Sequence, residues 1–124
     1  MNQILAIAAG GAIGAVLRFW ASNGVYALLG RNFPYGTMAV NILGSLLMGV
    51  LFILMVERMD VSAAWRAVLL IGFLGAFTTF STFSIETLNL IEEGALLSAG
   101  LNMILSVVLC ILAAWIGVNI GRNI

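Results

Sequence analysis

Five basic and five acidic residues are scattered along the chain, and the stretches between them are long and apolar: 1–17, 32–56, 67–85 and 94–121 carry no charge at all. Roughly 20 predominantly apolar residues, rising about 1.5 Å each as a helix, cross a hydrocarbon core about 30 Å thick. The pattern predicts four membrane-spanning helices, over about 3–29, 36–56, 64–91 and 97–121. "GRNFPYG" makes a turn around the only proline, Pro34. "ERMDVSAAW" leads into the third helix, and "EEGALL" joins the third to the fourth. Connections this short leave no room for an extramembrane domain, so residues 1–124 read as one all-α transmembrane domain with its function inside the bilayer.

Composition narrows the function classes. The chain is 63% hydrophobic and 8% charged, where a soluble domain carries about 25% charged residues. Zero net charge and no basic cluster argue against a nucleic-acid partner. With no histidine there is no imidazole for proton transfer or metal binding, and no nucleophile–base pair points to an enzyme. The single cysteine, Cys110, lies in the last apolar run and has no intrachain disulfide partner. A cleaved secretory signal is not expected: "MNQ" lacks a basic start, and the apolar segment continues past any short hydrophobic core.

Four spans put both termini and the 57–65 loop on one side. Arg58, Arg66 and Arg122 belong to that side and Arg31 to the other, a modest bias toward cytoplasmic termini. Gly10 with Gly14, and Gly117 with Gly121, stand four apart, the spacing that lets helix backbones approach in lipid. A bundle this thin scarcely encloses a hydrated pathway alone, and self-association is expected.

The densest chemistry is "GAFTTFSTFS" at 75–84, with three phenylalanines and five hydroxyls. At about 100° per residue, Phe77, Phe80 and Phe83 form one slanted stripe, while Thr78, Thr79, Ser81 and Thr82 cover much of the remaining circumference. Hydroxyls hydrogen-bond to nearby carbonyls and open membrane helices. Gly72 and Gly75 weaken this one further, so a break is expected near 75–79, in mid-membrane. Freed carbonyls there suit a dehydrated alkali cation, and half-helix N-termini suit anions. The alternative is a continuous helix whose hydroxyls bond back to their own backbone. A phenyl ring is positive at its edge, so Phe80 and Phe83, stacked one turn apart, offer edges to a small anion or else simply pack a core.

Further polar groups lie on the other spans. In "GTMAVNILGS", Asn41 sits just inside the second span with Thr37 one turn earlier on the same face. Its carboxamide either donates to a pathway anion or serves as interhelical glue. Asn102, Ser106 and Cys110 repeat every four residues on the fourth helix as a polar stripe. Arg18, past the middle of the first helix, either attracts anions or snorkels beside Trp20. Glu86, one turn after the hydroxyl segment, is a proton-coupling acid or a partner for nearby hydroxyls. Glu92 and Glu93 fall in the connector and read as solvated.

Three stretches, "GGAIGAVLRFW", "GTMAVNILGS" and "GFLGAFTTFSTFS", together resemble the Fluc (CrcB) fluoride channels of microbes, and the likeness extends through nearly the whole chain. The third is the most specific. The resemblance implies an antiparallel, dual-topology homodimer in the bacterial inner membrane, with two fluoride pores along the subunit interface, each built from both chains. It implies passive fluoride export. Asn41 matches the pore asparagine and Phe80 and Phe83 the pore rings. Ser81, Thr82 and Thr79 match the polar track, which Thr37 and, on the fourth helix, Asn102, Ser106 and Cys110 would extend. The carbonyls of Gly75 and Thr78 would surround a structural sodium ion on the two-fold axis, and Arg18 would aid anion entry.

Two other classes compete. A small multidrug-type exporter also has four helices, but depends on an acidic residue in its first helix; here that helix holds Arg18, and Glu86 would have to serve from the third. A non-transporting assembly subunit would pass no ions and would tolerate substitution of Phe80 or Asn41.

Overall fold

In the computed structural model, which describes residues 2–124, the chain forms four helical spans long and apolar enough to cross a membrane. Helix α1 covers Asn2–Leu29 and stops at Gly30, whose φ of 84° is the left-handed conformation that glycine adopts without strain. Helix α2 starts at Tyr35, directly after Pro34, whose missing N–H costs nothing at a helix start. It runs to Phe52 and continues as wider π-helical turns over Ile53–Arg58.

The third span is two helices. Helix α3 (63–77) begins at Ser62, whose hydroxyl accepts from the Trp65 N–H at 3.3 Å, one of the four amides that a helix start leaves unpaired. Its middle, Ala67–Leu74, is again π-helical. Thr78 and Thr79 are extended, and helix α4 resumes over Phe80–Glu92. The interruption therefore falls at the C-terminal edge of the stretch where hydroxyls and glycines predict it. A Schellman turn closes α4: Gly94, at φ 83°, donates to Ile91 O and Ala95 to Leu90 O. Helix α5 (Leu96–Asn123) is the fourth span.

Backbone-to-backbone contact decides how the spans pair. Helix α1 lies against α3, and α2 against α5. A methyl added at Gly10 would overlap the Val68 carbonyl oxygen, and one at Gly14 the Phe73 carbonyl oxygen. In the second pair, methyls at Gly49 and Gly117 would overlap the carbonyl oxygens of Ala114 and Leu46. The four-residue glycine spacings are thus used within one chain, so they carry no information about association between chains. Close backbone packing takes the place of a hydrophobic driving force, which helices in lipid lack.

Both ends of the bundle are tied. The Arg58 guanidinium donates to Gly121 O at 2.9 Å, capping the last turn of α5, and Arg122 lies 3.6 Å from Glu57. At the opposite end Arg31 sits 4.5 Å above the Tyr26 ring, and the 30–34 turn shares a cavity with Glu93. Helix α4 has the sparsest packing of the spans and rests mainly on α5. Wide apolar faces remain exposed on α1, α4 and α5.

Because those glycines are filled by carbonyl oxygens, Gly10→Val and Gly117→Val should each destabilise the monomer fold. The expected loss is about 1–3 kcal/mol, the usual cost of overpacking, read as a lower thermal midpoint in detergent. An unchanged midpoint would contradict the packing described.

Candidate functional site

Interrupting a helix in lipid strands several backbone amides and carbonyls, each of which needs a partner because no water is available. Asn41, on α2, supplies two of them. Its Nδ2 donates to Thr79 O at 2.9 Å and its Oδ1 accepts from Thr79 N at 2.7 Å, so one carboxamide pairs with both polar groups of one residue, as a neighbouring strand would. Gly44, one turn further along α2, leaves the space that the Thr78 methyl occupies. Arg18 reaches across from α1, its Nε donating to Ala76 O at 3.0 Å.

The hydroxyls divide into two groups. Thr78 Oγ1 bonds back to Leu74 O at 3.1 Å and Ser84 Oγ to Phe80 O at 2.9 Å, the local back-bonding that membrane helices favour. Thr79 instead caps α4: its Oγ1 accepts from Thr82 N at 3.2 Å and donates to Thr82 Oγ1 at 3.1 Å, and it lies 3.4 Å from the exposed Ser81 Oγ. Since the Thr79 amide is directed to Asn41, the Gly75 carbonyl loses the amide it would hold in a continuous helix.

Beside this break is an open groove of about 340 Å³. Asn41, Thr79, Phe80, Phe83 and Ser106 line it, and Ser45 and Cys110 complete one wall. The rings of Phe80 and Phe83 are 5.4 Å apart and inclined at 42°. Phe80 is 76% exposed on the single chain, and Gly75 is exposed on the surface of the span. One Nδ2 hydrogen of Asn41 has no protein acceptor among the described residues. Met48, Val107 and Ile111 add aliphatic carbon, so the groove is lined mostly by apolar groups with a few polar ones and, among the described residues, no ionised side chain.

Other residues singled out from the sequence lie elsewhere. Asn102 is 1% exposed, and its Nδ2 donates to Thr87 Oγ1 at 2.8 Å. Thr87 in turn donates to Phe83 O at 2.7 Å, and Ser106 Oγ donates to Asn102 Oδ1 at 3.1 Å. Asn102 and Ser106 of the α5 stripe thus belong to a relay that ends on the backbone of a groove phenylalanine, with Ser106 also bordering the groove, while Cys110 stands in the groove wall outside the relay. Thr37 is buried and bonded through its amide to the Tyr26 hydroxyl at 3.4 Å. Tyr26 also donates to Glu86 Oε2 at 2.9 Å, while Glu86 Oε1 is buried with no partner among the described residues. Glu86 opens on a separate cavity with Arg31, Asn89 and Glu93. Sequence reasoning missed Tyr26 and Ser45. A phenol near a helix end reads as an interface aromatic, although Gly36, where a side chain would collide with the Tyr26 ring, marks its seat.

The sequence profile of the family described as "CrcB-like protein, Camphor Resistance (CrcB)" matches residues 5–118. A protein of Magnetococcus marinus named "Fluoride-specific ion channel FluC" is 57% identical over 122 residues, covering 98% of this chain and 99% of its own. One of Coxiella burnetii with the same name is 56% identical over the whole of both chains. A third, from Methylococcus capsulatus, is 57% identical over 98% of this chain, which spans only 54% of that relative's length.

The Asn102–Thr87 bond is the main polar tie between α5 and the loosely packed α4. Asn102→Ala should cost about 1–3 kcal/mol, the range for leaving a buried partner unpaired, by denaturant titration in detergent. Combining it with Thr87→Val should add less than the two single losses summed; full additivity would mean that the bond is not made.

Proposed function

The chain belongs to the CrcB-like family, and on that footing we propose that it is a fluoride-selective channel that lets fluoride leave the cytoplasm passively. The arrangement that carries this reading is the groove at the broken helix, where the spare Nδ2 hydrogen of Asn41, the rings of Phe80 and Phe83, and the Ser45 hydroxyl come together. Fluoride is the smallest halide and the most strongly hydrated, so entry into a low-dielectric passage requires close replacement of its water. Amide and hydroxyl donors supply that replacement, and the positive edge of a phenyl ring adds to it. Chloride is larger, holds its own water less tightly, and gains less from a narrow file of donors. With no ionised group in the groove, binding stays weak enough for release, as conduction requires.

The working unit in this reading is an antiparallel homodimer. The groove is open along one side and Phe80 is exposed there, so a second copy would close the passage and supply its opposite wall. Two copies related by a two-fold axis in the membrane would form two pores. Insertion in both orientations needs little charge difference between the ends, and the Arg122–Glu57 pair offsets part of the positive excess at one of them. Ser81, Thr82 and Thr37 would extend the polar track.

A structural sodium ion suits the same break. The Gly75 carbonyl has lost its helical amide at an exposed residue, and Thr78 stands in extended conformation three residues on. Backbone carbonyls are apt ligands for alkali cations. One chain offers two, so a closed shell requires the second copy. The proton-coupled exporter gains nothing from the structure, because Glu86 is hydrogen-bonded to Tyr26 and lies outside the groove.

Fluoride efflux from liposomes, followed with an electrode in the presence of a potassium ionophore, tests the reading. Wild-type protein should release fluoride and retain chloride; no release from folded dimers would reject it. Phe80→Ile and Asn41→Asp should abolish flux while the dimer persists on gel filtration. Cross-linking in membranes should trap antiparallel pairs, and exclusively parallel pairs would sink the proposed architecture.

A further inference from the structure

The charge buried in the first span is directed at the backbone of the third. Arg18 is half-buried in α1, and it lines neither the groove at Asn41 nor the cavity at Glu86. Its Nε points across the helix pair to Ala76 O, 3.0 Å away, and this is a bond between residues 58 apart in sequence. Ala76 stands in the last turn of α3, two residues before the chain turns extended at Thr78. A helix C-terminus carries a partial negative charge from its unpaired carbonyls, and in lipid there is no water to satisfy them. Gly14, one turn before Arg18, brings the two backbones into contact at Phe73, which puts the guanidinium within reach of that terminus.

From this placement we infer that Arg18 is a positioning residue: its guanidinium pins the end of α3 through Ala76 O and neutralises that helix terminus, and it does not serve to draw anions into the passage. Asn41 holds the far side of the same break at Thr79. Between the two anchors, Thr78 and Thr79 keep their extended conformation, Gly75 O stays free of an amide partner, and Phe80 starts α4 facing the groove. The role depends on geometry. Arginine has a planar fork whose Nε is fixed relative to the aliphatic stem, whereas lysine is a point charge at the end of a flexible chain. A charge acting by attraction would survive replacement by lysine; an anchor at Nε would not.

The inference rests on the channel reading for its flux measurements, but hydrogen exchange tests it without transport. Arg18→Lys and Arg18→Gln are compared with wild type in the same liposome assay at low and high ionic strength, and amide exchange is followed in peptides covering 74–84. The loss of a hydrogen bond to a charged donor predicts that both variants fall about tenfold or more in fluoride flux, with Lys no better than Gln. The Lys deficit should be the same at both ionic strengths. Exchange at 76–82 should quicken in both variants, while peptides from α2 and α5 keep their protection and the dimer elutes unchanged. Arg18→Lys with wild-type flux and wild-type exchange at 76–82, beside a salt-sensitive loss in Arg18→Gln, would overturn the anchor and restore anion attraction. Loss of protection throughout the chain would also overturn it, by making Arg18 a general support of the fold. Wild-type protein that passes no fluoride would reject the channel reading, while the exchange pattern would still decide the role of Arg18.

Discussion

Pairing of the Asn41 carboxamide with both backbone groups of Thr79 is the interaction on which the rest of this structure turns. A transmembrane helix ordinarily satisfies its own amides and carbonyls, and any interruption exposes them to a medium with no hydrogen-bonding capacity. Here the interruption is stable because two neighbouring spans and one cap within the break take up stranded groups. Asn41 serves Thr79, Arg18 serves Ala76, and the Thr79 hydroxyl caps the resumed helix at Thr82. Asn41 and Arg18 come from other spans, so the break is fully satisfied only once the spans have assembled around it.

The packing of the bundle follows from that requirement. Bringing Arg18 and Asn41 close enough to α3 and α4 needs helix backbones in near contact, and glycine is the residue that permits it. Gly10 and Gly14 bring α1 onto α3, and Gly44 admits the Thr78 side chain beside α2. Helix α4, free of such close contacts, is held instead by the buried relay from Ser106 through Asn102 and Thr87 to the Phe83 carbonyl. Polar residues in the bilayer are expensive, and in this chain several are spent on fixing geometry, while a smaller set borders the groove.

That division bears on function. A passage for a strongly hydrated anion needs donors at close range, yet a fixed positive charge in its wall would retain the ion. The groove suits the proposed passage on both counts: Asn41 and Ser45 line it beside two phenyl rings, and Arg18 at the break is engaged with a carbonyl. The carboxylate of Glu86 is likewise held apart, on Tyr26.

What the sequence alone determined is whatever depends on local runs of residues. Four charge-poor stretches of sufficient length dictated four spans, since burial of apolar surface in lipid depends on length and composition and on little else. The concentration of hydroxyls, glycines and phenylalanines at 75–84 likewise marked where the third span would open. Only the tertiary structure decided what each polar residue does. Asn41 and Asn102 are the same amide in similar apolar surroundings, yet one borders the groove and the other is 1% exposed inside a relay. Glycine pairs with the spacing of an oligomer contact turned out to join helices within one chain. The reason is physical: a hydrogen bond in lipid is made with whichever group the helix packing brings within 3 Å or so, and the partners of Arg18, Asn41 and Tyr26 lie 58, 38 and 60 residues away.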